Sequence, residues 1–571
     1  DGWFVFSDLP AGRLSLNATT PGYTGGAYKQ TRPGGSSQPL VLTDGERLGD
    51  GALKRWKQAS ITGTVTDETG EPVVGVFVRV LRRTIVGGRP VLQMSGAGRS
   101  TDDRGVYRAF DITPGDYVVC LPATQTTIPV ASLDGGQPNG ATTTTGPDGS
   151  TVVVITGGPG VPFVGGSGER LGDLILQGGG MGGRGQAVSP PTSDTGAVLV
   201  YQTTFFPAAT VSSRAETITL KSGEARTGVD LQVTPVPTMR VSGTIVGPEG
   251  PAQGVGLHLI TADPDLGLSM DTSPDDVATT ISDPRGQFTF LGVPHGEYVL
   301  QAVRNARRTF TLDASGSILN PGAAPPTDPT LWAAAAVSVD RSDVTGLSVV
   351  LQPGLQVTGR LVFEGASSQP DVTQLQRPNV VRLAPLQTGA GRGGGPVFQA
   401  TTVSPSGSFV SSGYEPGRYS VVALTWPALK WIVKGISVAG ADVSDVPLEI
   451  GAADISNLTI TYTDQPAHLT GTVRDASGAA DATATVVVFP PDRKAWGWPN
   501  GLHTKSANAS STGAFSLTLP PGDYEVAAVP DEWQSGWQDP SFLERLLPLA
   551  TRIQLKEAET RTEDVKTVQI R

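Results

Sequence analysis

Hydrophobic and polar residues alternate in short runs along the whole chain, and turn residues separate these runs. One phrase recurs five times: a glycine, an aromatic residue two positions later, a proline-containing turn, and a second glycine. Its copies begin with DGWF, DDRGVY, DPRGQF, SPSGSF and SSTGAF. A period of two residues is that of a strand with one buried face, and Pro-Gly turns connect hairpins. Each copy therefore predicts a β-hairpin.

The ring residues at fixed positions of this phrase are predicted to form a structural repeat core. A buried aromatic side chain contributes roughly 1.5–3 kcal/mol, which is enough to explain the recurrence without any chemistry. A tyrosine at the start of a strand, with its hydroxyl bonded to nearby backbone, is also a known device of β-sandwiches. The predicted core residues are Phe4, Tyr107, Phe288, Phe409 and Phe515 after the first glycine, and Tyr117, Tyr298, Tyr419 and Tyr524 after the second, where the first copy has Leu14.

Two further sequence segments recur, one on each side of the phrase. Upstream stand ITGTV from Ile61, VSGTI from Val241, VTGRL from Val357 and LTGTV from Leu469, and downstream stands another alternating run. About seven short strands in each unit are typical of a sandwich of two antiparallel sheets. The fold class predicted is therefore all-β, a tandem array of β-sandwich modules.

The positions of the repeats divide the chain into five predicted units. The first (1–58) begins within the phrase and is expected to be a partial module, its C-terminal half. The second (59–236) contains a glycine-rich insertion (124–196), predicted to be a loop whose segments TVVVIT and DLILQ could add strands to a neighbouring sheet. The remaining units are predicted at 237–354, 355–466 and 467–571. Asp539 and Pro540 predict a short helix near 540–547, and short proline-containing junctions favour a rod-like, straight or bent array.

The order ITGTVTDETGEP, TDDRGVY and PGDYVV in the second unit resembles the carboxypeptidase regulatory-like domain, a transthyretin-like (prealbumin-like) β-sandwich with an Ig-like, carbohydrate-binding-like fold. The resemblance extends over most of the chain, as tandem copies. The chain is also similar to secreted multi-module proteins of Acidobacteria-type soil bacteria. It implies an extracellular or cell-surface location. It implies no catalytic residue.

Composition narrows the function further. The 571 residues carry a net charge of −11, which argues against nucleic acid and anionic membranes as partners. No apolar run has the length of a membrane span. The single cysteine, Cys120, excludes an intrachain disulfide and lies in a strand-like run, as a core thiol would. We expect any export signal to lie before Asp1.

No motif of catalysis, cofactor binding or metal ligation emerges, so the chain is predicted not to be an enzyme. The histidines stand apart, outside the spacings of zinc sites; they are His258, His295, His468 and His503. Acidic pairs such as Asp102 and Asp103 could hold calcium but are better explained as turn residues.

Tryptophans are concentrated toward the C-terminal end. Paired tryptophans in predicted loops could stack on sugar rings, or they could cover the end of the last sandwich and its helix. The candidates for carbohydrate contact are Trp496, Trp498, Trp533 and Trp537.

Three functions remain open. The first is a non-catalytic structural protein of the cell surface, such as a stalk, an adhesin or a filament subunit. It would associate with itself or with a surface partner, and a strand from another chain could complete the first unit. The second is an array of carbohydrate-binding modules with a polysaccharide partner. The third is an accessory region of a peptidase encoded upstream.

Overall fold

The computed structural model describes residues 2–569 with internal gaps. The residues outside the description are 34, 36, 50, 87, 96, 133–140, 146–150, 156–167, 180–197, 263–275, 307, 313–327, 371, 373–379, 387–400, 412, 426–429, 499, 531–532 and 534–535, together with 1, 570 and 571. Within the described residues no helix is both long enough and apolar enough to cross a membrane.

The chain is all-β, and its strands fall into five groups that follow the sequence repeats. The first unit contains Gly12–Leu14, Asn17–Thr20, Tyr23–Ala27, Leu40–Leu42 and Trp56–Lys57. The second contains Ala59–Thr66, Phe77–Val86, Arg89–Met94, Arg99–Ser100, Val106–Ile112, Gly115–Leu121, Thr124–Pro129, Ala141–Thr145, Thr151–Ile155, Glu169–Leu171, Leu174–Gly179, Leu199–Tyr201, Thr204–Phe205, Ile218–Leu220, Ala225–Arg226 and Leu231–Gln232. The third contains Pro235–Gly247, Gly250–Pro251, Gly256–Thr261, Asp276–Ile281, Gln287–Pro294, Gly296–Arg304, Arg308–Leu312, Leu331–Val339, Val344–Val350 and Gln352–Pro353.

The last two units are built in the same way. The fourth contains Val357–Glu364, Val381–Pro385, Thr401–Val403, Ser408–Ser411, Gly417–Ala423, Ile432–Val438, Ala441–Asp442, Leu448–Ile450 and Ile455–Thr463. The fifth contains Ala467–Arg474, Thr485–Phe489, Lys505–Asn508, Ala514–Leu519, Gly522–Val529, Thr551–Leu555, Thr560–Thr562 and Val565–Lys566. The described helices are short: Val130–Ser132, Ser212–Arg214, Arg493–Ala495, Gly536–Gln538 and Leu547–Leu549 are 3₁₀ turns, and Pro540–Leu546 is α-helical with Asp539 as its N-cap.

One sheet of each later unit has a glycine-containing strand at its centre. We call this the glycine strand; it begins at Ala59, Pro235, Val357 and Ala467 in the four later units. On one side it pairs with the antiparallel aromatic strand, which begins at Val106, Gln287, Ser408 and Ala514. On the other side it pairs with a parallel strand, which begins at Ala225, Val344, Ile455 and Thr560.

The facing sheet is centred on the strand that carries the repeated tyrosine. This tyrosine strand begins at Gly115, Gly296, Gly417 and Gly522, and it pairs with an antiparallel closing strand. The register of this strand pair is the same in all five units. The glycine opens the pair, and the tyrosine, or Leu14 in the first unit, follows two residues later. The glycine partners are Gly12 with Leu42, Gly115 with Leu220, Gly296 with Val339, Gly417 with Ile450 and Gly522 with Leu555. The first unit therefore shares this strand pair with the others, with Leu14 in the place of tyrosine.

Each of the four later units has a hydrophobic core of its own. The cores are built around Tyr107, Phe288, Phe409 and Phe515, and no core residue is shared between them. The described part of the first unit differs, because Leu40 is its one buried hydrophobic side chain. A chain segment with so little buried apolar area lacks the core that a sandwich needs.

The glycine-rich insertion joins the second unit to the third. Thr124–Pro129 pairs in parallel with Asp276–Ile281 of the third unit. Leu174–Gly179 pairs with the opposite edge of Thr124–Pro129 and so extends the same sheet. Thr151–Ile155 pairs with Arg308–Leu312. TVVVIT thus pairs with a strand of the third unit, whereas DLILQ pairs with Thr124–Pro129 and Glu169–Leu171 of the same insertion. Both segments form strands where the sequence predicted a loop. Alternating apolar residues there satisfy their backbone groups by pairing with an open edge.

The array of units is bent. The side-chain amide nitrogen of Gln38, in the first unit, donates to the carbonyl oxygen of Ala482 in the fifth at 3.2 Å. A straight array of five sandwiches would hold these two units apart.

Candidate functional site

The repeated rings lie inside the sandwiches, with one exception. Eight of the nine predicted core residues are at most 5 % exposed; they are Tyr107, Tyr117, Phe288, Tyr298, Phe409, Tyr419, Phe515 and Tyr524. The structure departs from the expectation at Phe4, which is 44 % exposed. It has no glycine strand to cover it, because the described part of the first unit contains none.

The tyrosine after the second glycine fixes its hairpin by a backbone hydrogen bond. In every later unit its hydroxyl donates to the carbonyl oxygen four residues earlier. The acceptors are Thr113 for Tyr117 (2.7 Å), Pro294 for Tyr298 (2.8 Å), Glu415 for Tyr419 (2.9 Å) and Pro520 for Tyr524 (2.7 Å). Burial raises the pKa of the Tyr298 hydroxyl to about 12, so this phenol acts as a structural donor.

The glycine strand needs its glycine for a steric reason. Gly471 is opposite Phe515, and a Cβ added to it would be 1.9 Å from the carbonyl oxygen of Glu563 and 2.9 Å from Cε1 of Phe515. Gly63 and Gly359 stand in the same relation to a ring and a backbone carbonyl, and a Cβ on Gly243, which pairs with Phe288, would be 2.2 Å from the carbonyl oxygen of Leu347. Ring and carbonyl together fill the space that any larger residue would need.

The first unit leaves the corresponding region open. Residues 2–9 match the aromatic strand of the other units, yet they form no strand, and their apolar side chains face solvent. Trp3 is 91 % exposed, Val5 89 % and Phe6 61 %. A continuous run of exposed apolar residues marks an interaction site more often than scattered single ones do.

Each histidine has a polar or acidic side chain beside one of its ring nitrogens. His258 lies 3.3 Å from Asp276, His295 3.7 Å from Asp340 and His468 3.4 Å from Thr518, while His503 contacts Asp445. The described residues contain no group of three or more histidine, cysteine or acidic side chains placed to hold a metal. Asp102 accepts from the amides of Arg104 and Val106 and so caps its own turn.

The four tryptophans proposed for carbohydrate contact surround the C-terminal helix or an adjoining joint. Trp496 is 2 % exposed, and its Nε1 donates to the carbonyl of Pro490 at 2.7 Å, so it presents no face to a sugar. Trp533 stacks on Phe542 of the helix with centroids 5.7 Å apart, and Trp537 packs against the same cluster. Trp498 is half-buried, and the guanidinium of Arg418 lies 4.8 Å from its ring centroid.

Polar contacts fix the joint between the fourth and fifth units. Asp445 of the fourth unit accepts from the backbone amide of His503 at 2.9 Å and also contacts its imidazole. These two side chains are only 9 % and 15 % exposed. Lys434 contacts Glu364 of its own fourth unit and Glu557 of the fifth unit, and so bridges the two. Hydrogen bonding to Glu364 is the main cause that raises the pKa of Lys434. Together with Arg418 on Trp498, these contacts hold the two sandwiches in one orientation.

A buried polar cluster lies where the second unit meets the third. Nδ1 of His258 lies 3.3 Å from Oδ2 of Asp276, and both side chains have little exposed surface. Burial lowers the pKa of Arg79, which is 3 % exposed, while Cys120 and Asp276 oppose that shift. The hydroxyl of Thr280 donates to the carbonyl of Thr127 at 2.9 Å across the same joint. This hydrogen bond ties the inserted strand to the third unit.

A cleft of about 310 Å³ opens beside that joint. Its walls include Gln125, Tyr201 and Phe205 from the second unit and His295 and Tyr298 from the third. It lies between two sandwiches, where small-molecule pockets often form. Its lining includes His295 and Glu297, and the described residues contain no group of three metal-ligating side chains. The joints were invisible to sequence reasoning, since each combines residues far apart in the chain.

Comparisons with known proteins return only distant likenesses. No family model matches the chain, and no curated protein matches it. Among solved structures, "The Bacillus anthracis TIE protein" is 9 % identical over 99 % of this chain and 75 % of its own, with a TM-score of 0.14. The Streptococcal ancillary pilin is 12 % identical over 58 % of this chain and 99 % of its own (TM-score 0.18), and the RrgB pilus protein of Streptococcus pneumoniae is 9 % identical over 90 % and 98 % (TM-score 0.14). TM-scores this low establish no common arrangement.

Proposed function

We propose that this chain is a non-catalytic structural protein of the cell surface, and that it serves as a stalk, an adhesin or a subunit of a self-assembling filament. One observation carries the proposal. The same register of the strand pair that a glycine opens recurs five times, and in the four later units the recurring side chains are used for packing, turn capping or backbone hydrogen bonds. Such repetition builds a spacer or a scaffold.

The joints support the mechanical side of the proposal. A spacer transmits position only when its units keep their mutual orientation. Strand pairing between the second and third units and the Asp445–His503 contact between the fourth and fifth both restrict relative motion. The exposed apolar run at residues 2–9 supplies a surface for self-association.

We further propose that the units are carboxypeptidase regulatory-like modules with boundaries at 1–58, 59–236, 237–354, 355–466 and 467–571. The repeated motifs and the separate core of each later unit support this division. No observation on the tryptophans favours carbohydrate binding, since Trp496 is buried and Arg418 lies against the ring of Trp498.

Electron microscopy and analytical ultracentrifugation of the native protein test the assembly function. We expect particles larger than one chain, and we expect the triple variant W3S/V5S/F6S to reduce the assembled fraction at least fivefold. The matched control is V350S/V410S, which removes valines that are 56 % and 46 % exposed in the later units. A monodisperse monomer at all accessible concentrations, or equal loss in both variants, would contradict the assembly function.

A further inference from the structure

The cleft between the second and third units has the size of a small-molecule site and firmly held walls. Its volume of about 310 Å³ lies within the range of roughly 300–1,000 Å³ that such sites occupy. On the third unit, the hydroxyl of Tyr298 donates to the carbonyl of Pro294 at 2.8 Å and so closes the turn that forms one wall. On the second unit, the hydroxyl oxygen of Thr203 accepts from the backbone amide of Ala123 at 3.1 Å. Each wall is therefore fixed by contacts within its own unit.

Strand pairing across the joint fixes the two walls relative to each other. Thr124–Pro129 of the second unit pairs in parallel with Asp276–Ile281 of the third. These two strands contribute Gln125 and Val277 to the lining of the cleft. A preformed site binds a small ligand without the cost of ordering its walls, so the joint itself makes the cleft suitable for binding.

Gln125 brings an unsatisfied acceptor to this lining. The residue is 6 % exposed, and its side-chain oxygen Oε1 is buried without a hydrogen-bond partner. A buried carbonyl oxygen without a donor lowers stability. The terminal amide torsion of a glutamine is broad, so the oxygen can turn toward the cleft, where a ligand can donate to it. Gly292 packs beside this side chain, and a Cβ on Gly292 would crowd it at 3.3 Å from Cγ of Gln125.

The charges around the cleft favour a neutral ligand. Among the described residues that line it, none is a lysine or an arginine, and the histidine, His295, is 67 % exposed and lies 3.7 Å from Asp340. An anion would therefore lack a dedicated cationic partner. The carboxylate in the lining, Glu297, is exposed and accepts from the Ser338 hydroxyl at 2.6 Å. A cation beside the buried Gln125 would thus lack a counter-charge, and a hydrocarbon would leave the oxygen of Gln125 unpaired.

We propose that this cleft binds a neutral mono- or disaccharide, with one sugar hydroxyl donating to Oε1 of Gln125 and an apolar sugar face against the ring of Tyr201. Tyr201 is half-buried in the lining, and aromatic rings pack well against apolar surface. The lining also contains the amide of Gln202 and the hydroxyls of Thr203 and Thr261, which both donate and accept, as sugar hydroxyls do. Binding is independent of the assembly function.

Saturation-transfer difference NMR on the full chain tests the proposal with neutral probes: glucose, galactose, N-acetylglucosamine, maltose and cellobiose. Choline and glucuronate are the charged comparisons. We expect at least one neutral sugar to bind, and both charged probes to bind at least fivefold more weakly than that sugar. At saturating sugar, hydrogen–deuterium exchange should slow in residues 199–205 and 292–298, which belong to the two walls, and stay unchanged in the fourth and fifth units.

Gln125→Met tests the acceptor, because methionine keeps the length of the side chain and removes the oxygen. We expect the affinity for the best-binding sugar to fall at least fivefold. The oxygen has no partner to lose, so the thermal transitions of the sugar-free variant should stay in place or move to higher temperature, whereas loss of a structural hydrogen bond would lower them. Gln93→Met, at an exposed glutamine of the second unit, is the matched control and should change neither quantity.

The absence of saturation transfer to every neutral sugar would overturn the proposal. Equal or tighter binding of choline or glucuronate, equal losses of affinity in Gln125→Met and Gln93→Met, or protection confined to other parts of the chain would overturn it as well. Val211→Trp gives a second test that does not alter Gln125, because it fills the cleft from a half-buried position in its wall. Unchanged sugar affinity in Val211→Trp would contradict a ligand in this cleft.

Discussion

Gly63 lies opposite Tyr107 in the second unit, and the tyrosine hydroxyl passes this glycine to donate a hydrogen bond of 2.7 Å to the carbonyl oxygen of Val229. Three strands therefore meet at one point where no Cβ can fit. The same meeting of ring, glycine and carbonyl recurs at Gly359 and Gly471, and a carbonyl alone crowds Gly243. This explains why glycine occupies a strand interior that otherwise disfavours it.

Adding one methyl group at this point should destabilise the unit that contains it. We expect Gly471→Ala to lower the free energy of unfolding of the fifth unit by at least about 3 kcal/mol, because the Cβ would overlap the Glu563 carbonyl. Differential scanning calorimetry of the full chain measures the effect. The control is Gly451→Ala, at an exposed glycine where an added Cβ would meet no atom within 4 Å, and there we expect a change within about 0.5 kcal/mol. Equal effects would refute the steric account.

The corner tyrosines should contribute through their hydroxyl groups. Tyr524→Phe keeps the ring but leaves the buried carbonyl of Pro520 without its donor. A loss of about 1–2 kcal/mol in the stability of the fifth unit is expected. Tyr23→Phe serves as the comparison, since Tyr23 is 43 % exposed. Chemical denaturation followed by tryptophan fluorescence separates the two variants, and a neutral Tyr524→Phe would contradict the role of the hydrogen bond.

Glu415 should give the fourth unit a pH-dependent stability. Burial raises its pKa from 4.5 to about 7. Between these values the folded unit binds more protons than the unfolded one, so its stability falls as the pH rises from about 4.5 to 7. The full effect is at most roughly 3 kcal/mol. Glu415→Gln should remove this slope from a series of thermal melts, whereas Glu449→Gln, at a side chain that is 76 % exposed, should retain it. An unchanged slope in Glu415→Gln would exclude Glu415 as its source.

The joint between the fourth and fifth units should depend on Asp445. Asp445→Ala removes the acceptor for both the backbone amide and the imidazole of His503. We expect a loss of about 2 kcal/mol in the coupling between the units, seen as two separate calorimetric transitions and as broader small-angle scattering profiles. Asp523→Ala, an exposed carboxylate in the fifth unit, is the control. Unchanged coupling in Asp445→Ala would show that other contacts carry the joint.

Structural features that depend on residues close together in the chain could be predicted from the sequence. Alternation of period two, turn glycines with positive φ such as Gly105 and Gly513, and rings at fixed spacing are all determined within about twenty residues. Two segments of the insertion, TVVVIT and DLILQ, were also visible as apolar runs, whereas Thr124–Pro129 was not. Which sheet those strands would join was not, because pairing with Asp276–Ile281 depends on an edge that the local sequence does not describe.

The contacts between units lay beyond sequence reasoning. Nothing around Asp445 indicates that it faces His503, and nothing around Trp498 indicates that Arg418 lies against its ring. Phe4 shows the converse limit: its position in the phrase predicts burial, but burial also needs a strand to lie over it. The repeat therefore predicts that a residue can be buried, and the neighbouring strands determine whether it is buried.

The parallel pairing of Thr124–Pro129 with Asp276–Ile281 has a consequence for biosynthesis. Residues 130–275 must leave the ribosome before the partner does, and at 5–20 residues per second this takes about 7 to 30 s. During that interval the earlier strand has no third-unit edge to join, and nascent chains on one messenger lie close enough to pair with each other. Translation that stalls within residues 130–275 should therefore produce insoluble chains, while stalling after residue 354 should not.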